Sequence, residues 1–317
     1  MASPTVQRPV SGPELPRGRT MVVHSADGTR LHTEVFGPAG GYPIVLAHGI
    51  TCAVRFWHEQ INALSGEFRV IAYDHRGHGR SGVPDPKSYS LDHLAADLDA
   101  VLAATLAPGE RAVIAGHSMG GIAISAWADR FRHRVDECAD AVTLINTTTG
   151  DLLDKIQLLR MPGMLKSARI AAARNMIHAF GGAPLVNGTQ PGSRRFLQMM
   201  AVGADTDPSV TNFLHDLFAS TPPAGRGAWA RVLVDELGPA VHIDLSGLTV
   251  PTLVIGSTDD RLLPMCQAHK IAESAPNLIE LVEMPGGHCA PLEHPREVNR
   301  RLRGLARAST SARRMSS

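Results

Sequence analysis

Gly116-His117-Ser118-Met119-Gly120-Gly121 stands between an apolar run, RAVIAG (Arg111 to Gly116), and a helical pattern carried by Ile122, Ala123, Ile124, Ala126 and Trp127. A G-x-S-x-G segment that closes a strand and opens a helix predicts a sharp turn with a strained serine at its apex. Glycine two positions to either side leaves room for the turn, and the serine hydroxyl is lifted clear of the strands. The helix behind it offers unpaired N–H groups and a positive dipole end to nearby developing negative charge. A purely structural Gly-Ser turn is the alternative, and the strand before and helix after argue against it.

Working outward, further apolar runs recur between turn residues. TMVVH and RLHTEVF flank Ala26-Asp27-Gly28-Thr29 as a hairpin; YPIVLA (Tyr42 to Ala47), RVIAYD (Arg69 to Asp74), AVTLIN (Ala141 to Asn146), TLVIGS (Thr252 to Ser257) and LIELVEM (Leu278 to Met284) follow. Runs this apolar suit strands covered on both faces. Between them Leu91, Leu94, Ala95, Leu98, Val101 and Leu102 recur at helix spacing behind Ser90, an N-cap residue. Alternating strands and helices predict an α/β fold: a mostly parallel eight-stranded sheet, helices on both faces and an antiparallel hairpin at its start.

Residues 150–247 break that rhythm. Leu152, Leu153, Ile156 and Leu159 form one helical stripe, Phe213, Leu214, Leu217 and Phe218 another, and Val232, Leu233 and Leu237 a third. The expected layout is a loose tail over 1–18, a core over 19–149 and 248–306, a helical insertion over 150–247, and a flexible tail over 307–317. Five of the 11 methionines fall in the insertion. They read either as ordinary helix packing or as an adaptable lining over an apolar ligand.

Composition narrows the function. The 317 residues carry 31 Lys plus Arg against 30 Asp plus Glu, without the basic excess of a general nucleic-acid binder. Cys52, Cys138, Cys266 and Cys289 form no CxxC pair, so neither a disulfide framework nor a cysteine zinc site is expected. No apolar stretch is long enough for a membrane span. The first twenty residues lack the apolar centre of a secretory signal, which suggests a cytoplasmic protein.

A serine needs a base and the base an acid. Met284-Pro285-Gly286-Gly287-His288 leaves the last strand at the edge where Ser118 should lie, which singles out His288 among 15 histidines. Gly256-Ser257-Thr258-Asp259-Asp260 leaves the preceding strand with two acids, of which Asp260 is preferred and Asp259 is the fallback. Oxyanion donors are expected at the N–H of Met119 and, in the His48-Gly49-Ile50-Thr51 loop, of Ile50. His48 reads as a buried residue closing its strand rather than as a base.

AHGI (47–50), YDHRGHGRS (73–81), GHSMGG (116–121), PTLVIGSTDDRLLP (251–264) and GGHCAPLEHP (286–295) together resemble the α/β-hydrolase superfamily. The similarity is to its lid-bearing branch of esterases, lipases, C–C bond hydrolases and cofactor-free haloperoxidases. It implies that residues 150–247 are a lid, that Asp260 is the acid, and that His75 and His78 belong to a structural loop rather than a metal site. Serine at the elbow, where epoxide hydrolases and dehalogenases of this fold carry aspartate, implies acyl transfer with no metal or organic cofactor. The expected substrate is a carboxylic ester with a small to medium apolar acyl group. Met161, Met164, Met176, Phe180 and Phe213 are candidates for the pocket wall. C–C bond cleavage and peracid formation use the same triad, and a non-catalytic ligand sensor is the alternative from another class.

Overall fold

The apolar runs become strands β1 (Arg19–His24), β2 (Arg30–Phe36), β3 (Pro43–Ala47), β4 (Arg69–Tyr73), β5 (Ala112–His117), β6 (Ala139–Ile145), β7 (Thr252–Ser257) and β8 (Leu278–Met284) in the computed structural model. The structure describes residues 13–155, 166–183, 195 and 198–316. The strands form one sheet in the order β1-β2-β4-β3-β5-β6-β7-β8. The β1–β2 and β2–β4 pairs are antiparallel and the others parallel.

Strand alternation divides the interior in two. Val45 and Ala47 face one core with Leu94, Leu98, Ile122 and Trp127, while Ile44 and Leu46 face another with Phe56, Trp57, Ile61 and Leu302. Each large side chain so buried contributes about 1.5–3 kcal/mol relative to exposure. Every residue of β3, β5 and β7 is buried, whereas β8, at the sheet edge, exposes four of its seven. Helix Leu91–Thr105 starts where expected: Ser90 is its N-cap, and its side chain accepts from the His93 N–H at 3.2 Å.

Between β6 and β7 the described residues form the helices Leu152–Lys155, Lys166–Phe180, Pro208–Ser220 and Pro223–Glu236. The segment leaves and rejoins the core at one neck, where Gly150 and His242 form an isolated antiparallel bridge and the Ile243 N–H reaches the Thr149 carbonyl at 2.8 Å. Trp229, fully buried, donates from Nε1 to the Arg76 carbonyl at 2.9 Å and seats the segment on the loop after β4.

Two expectations about the chain ends change. Residues 13–18 are not loose: the Pro13 carbonyl accepts from Arg55 at 3.3 Å, the Glu14 carbonyl accepts from Asn62 at 3.3 Å, and Leu15 packs on the core. Nor does order end at Ala306, because the last helix runs Pro295–Ser316. Arg307 pairs with Glu67 at 2.7 Å, and Arg313 pairs with Asp140 at 2.7 Å while lying over the Tyr42 ring. Those side chains hold a turn sequence too polar to read as a docked helix.

Candidate active site

Ser118 stands between the end of β5 and the helix Met119–Arg130 with φ 53° and ψ −119°. A non-glycine residue held there stores about 1–3 kcal/mol of backbone strain. The surroundings fix it: the Ser118 N–H reaches the Ile145 carbonyl at 3.0 Å, and its carbonyl accepts from Gly121 N at 2.9 Å, Ile122 N at 3.1 Å and the Thr147 hydroxyl at 2.7 Å. Glycine is required at 120, because a β-carbon there would collide with the Ala47 carbonyl and lie 2.9 Å from the His48 oxygen. The helix start thus presses on the loop that follows β3. Met119, as the first helical residue, carries an N–H with no acceptor inside its own helix.

That loop is fixed by neutral histidines. His48 Nδ1–H donates to the Gly49 carbonyl at 2.7 Å and its Nε2 accepts from the His75 N–H at 3.1 Å. His75 Nε2–H returns a bond to the His48 carbonyl at 2.9 Å. His78 Nε2 accepts from the N–H of Thr51, whose φ is 61°, at 3.0 Å, and its Nδ1–H donates to the Arg76 carbonyl at 3.1 Å. Burial pushes all three imidazoles down, His75 to about 3, His78 to about 4 and His48 well below its usual value. Their hydrogen bonds hold the backbone of His48, Gly49 and Thr51 on either side of Ile50. Among the described residues no group of three or more His, Cys, Asp or Glu is arranged to hold a metal ion.

Asp260 and His288 meet at the same edge of the sheet. His288 Nδ1 lies 2.8 Å from Asp260 Oδ2, and both side chains are buried. Asp260 accepts three further hydrogen bonds: Oδ1 from the N–H groups of Leu262 at 2.9 Å and Leu263 at 2.8 Å, and Oδ2 from Asn146 Nδ2 at 3.0 Å. With Nδ1 committed as a donor to this carboxylate, Nε2 carries the imidazole's lone pair. The His288 carbonyl accepts from His117 Nε2 at 2.8 Å, which joins the His288 loop to the residue preceding Ser118. Asp259 is exposed; its backbone N–H bonds the Gly286 carbonyl at 3.0 Å and its carboxylate accepts from the neighbouring Thr258 hydroxyl at 3.3 Å, away from His288.

Sequence reasoning passed over Asn146, His117 and Glu293. Asn146 directly follows β6 with φ 42°, a conformation asparagine tolerates better than most residues, and its side chain bridges Asp260 and Ser257 at 3.0 Å each. An asparagine closing an apolar strand was the available signal. Of the residues expected in the pocket wall, Met161 and Met164 lie outside the described residues, as does the side chain of Phe180. Met176 is 59% exposed on the helix Lys166–Phe180, which does not suit a wall residue. Phe213 is buried, with its ring 5.0 Å from that of His58.

Residues 42–295 match the family described as having the alpha/beta hydrolase fold. The chain belongs to the α/β hydrolase family. Among curated relatives, the "Putative carbamate hydrolase RutD" of Variovorax paradoxus (strain S110) is 30% identical over 283 residues, covering 88% of this chain and 97% of that protein. The non-heme chloroperoxidase of Streptomyces lividans is 38% identical over 109 residues, or 34% of this chain and 38% of that one. Among solved structures, a thermophilic esterase from Thermogutta terrifontis shares the fold with a TM-score of 0.71 at 23% identity, covering 92% of this chain and 99% of that one. This α/β hydrolase is therefore an enzyme of the hydrolase class, with the mostly parallel eight-stranded sheet of its family. Among its described residues no helix is long and apolar enough to cross a membrane.

Proposed function

We propose that this α/β hydrolase is a serine esterase that cleaves carboxylic esters of small to medium apolar acyl groups through Ser118, His288 and Asp260. The observation that carries the reading is the 2.8 Å hydrogen bond from His288 Nδ1 to buried Asp260, in a loop bonded to His117, the residue before Ser118, whose backbone is held at φ 53°. Ser118 Oγ attacks the ester carbonyl carbon while its proton passes to His288 Nε2. The oxyanion is held by the N–H groups of Ile50 and Met119. His288 then gives the proton to the departing alkoxide. Water, deprotonated by His288, attacks the acyl-enzyme, and the acid leaves as Ser118 recovers its proton.

In this reading the segment from 150 to 247 is a lid over Ser118 and supplies part of the acyl pocket, where each methylene that fits is worth about 1–3 kcal/mol of discrimination. A fluorophosphonate probe should label the wild type and not Ser118→Ala, and nitrophenyl esters from acetate to octanoate should turn over repeatedly. A single stoichiometric burst, or labelling that survives in Ser118→Ala, would sink the proposal. The relationship to RutD supports a second reading, attack on a carbamate carbonyl by the same groups. Matched aryl acetate and aryl carbamate substrates separate the two by the ratio of their kcat/KM values.

A further inference from the structure

Glu293 ends the short helix Ala290–Glu293, five residues beyond His288. Its carboxylate collects four donors. Oε2 accepts from the N–H of Gly287 at 2.9 Å, the N–H of Gly203 at 2.7 Å and the hydroxyl of Thr206 at 2.7 Å, and Oε1 accepts from the N–H of Cys289 at 3.0 Å. Gly287 and Cys289 are the residues on either side of His288. Gly203 and Thr206 belong to the segment between β6 and β7. One carboxylate therefore grips the backbone around His288 and holds the inserted segment with the same oxygen.

The two backbones touch at this point. A β-carbon on Gly287 would fall 2.6 Å from both the Gly203 nitrogen and the Val202 α-carbon, so no side chain separates the His288 loop from the insertion. On its far side the His288 carbonyl is held by His117. The imidazole is thus set by three anchors: Asp260 on the ring, His117 on the carbonyl, and Glu293 on the flanking N–H groups. The first two belong to the sheet edge. Only the third connects to the insertion.

We propose that Glu293 is a positioning residue that transmits the placement of the inserted segment to His288, so that the seated segment sets the imidazole for proton transfer with Ser118. This rests on the assignment of Ser118 and His288 given above. Charge-assisted bonds of this length are stiff, and a displacement of about 1 Å at a reacting group costs up to about a hundredfold in rate. A seated insertion keeps all four donors on the carboxylate, whereas a displaced one withdraws two of them and leaves the His288 loop held from one side.

The test uses the full chain and its inactivation by a fluorophosphonate, with thermal midpoints measured alongside. Thr206→Val removes the hydroxyl from the insertion side without touching the triad, and Thr206→Ser retains it. Thr206→Val should lower the maximal inactivation rate constant about tenfold, with less than a twofold change in the half-saturating concentration, and Thr206→Ser should restore the wild-type constant. Glu293→Gln, which turns an amide NH2 toward donors on one side, should lower it further. Should Glu293→Gln fail to fold, the Thr206 pair decides alone. A Thr206→Val protein with a lower midpoint and a wild-type rate constant would overturn the proposal, as would failure of Thr206→Ser to restore the rate. A wild type that is not labelled at all would remove the serine-hydrolase assignment, and this proposal with it.

Discussion

His48, His75, His78 and His117 are wholly buried, and burial holds each of them neutral, with His75 near 3, His78 near 4 and the other two well below the usual value. In the unfolded chain a histidine titrates near 6.5. Between those limits the unfolded state binds more protons than the folded one, so the histidine contribution is fully present above about pH 6.5 and is lost as pH falls. Each histidine removes about 1.4 kcal/mol per pH unit in that range, so four give a limiting slope of about 5–6 kcal/mol per unit. By pH 5 that amounts to about 8 kcal/mol, against a total stability of about 5–15 kcal/mol for a folded domain. Asp74 and Asp97, whose carboxyls are raised by burial, bind protons on folding and offset part of the loss. Asp27 and Glu297, held at about 2 by arginine partners, add to it only at still lower pH. Urea unfolding at pH 7.5, 6.5, 6.0 and 5.5 should show a steep fall below 6.5, and His78→Gln should reduce the fall between pH 6.5 and 5.5 by about 1 kcal/mol. Stability that stays level from pH 7.5 to 5.5 would refute the reasoning.

Three further outcomes are expected. Asp97→Ala takes from fully buried Arg76 its bonds of 2.7 and 2.6 Å to Asp97 and leaves Asp27 as its carboxylate partner, so it should cost about 1.5–3 kcal/mol in urea unfolding; a loss below about 0.5 kcal/mol would contradict the account. Asp260→Asn should cut turnover of nitrophenyl acetate by about 10⁴ through the wrong imidazole tautomer, while Asp259→Asn stays within about threefold; the reverse ranking would move the acid by one residue. Of the four free cysteines only Cys266 is exposed, so a thiol reagent should titrate one group in the native protein and all four in denaturant.

Much of this architecture was legible because its signals are local. The strands TLVIGS and LIELVEM run as expected over Thr252–Ser257 and Leu278–Met284, and Ser90 caps its helix. The turn at Ser118 was equally readable, since glycine spacing is the local cost of a strained backbone. What escaped depends on partners remote in sequence. Asn146 meets Asp260 114 positions away and Glu293 meets Gly203 90 positions away, and no local pattern names either partner. Met176 shows the opposite failure, an apolar residue whose helix turns it to solvent. The far half of the last helix was missed because the buried stripe of Val298, Leu302 and Ala306 ends there, and beyond it the anchors are arginines reaching Glu67 and Asp140 across the surface.

The neck at Gly150 and His242 has a consequence for how such a protein can change. Exit and re-entry are joined by one bridge, so whatever lies between them is a cassette plugged into a single socket on the sheet. Closing a flexible loop costs only about 0.6 kcal/mol more for each doubling of its length, so the neck itself tolerates cassettes of different length. Two conditions remain, the first being that a replacement fill the places of buried Trp229, Leu233 and Leu237. A replacement must present two donors where Gly203 N–H and the Thr206 hydroxyl now meet Glu293, or the graft will fold and leave that carboxylate half-served.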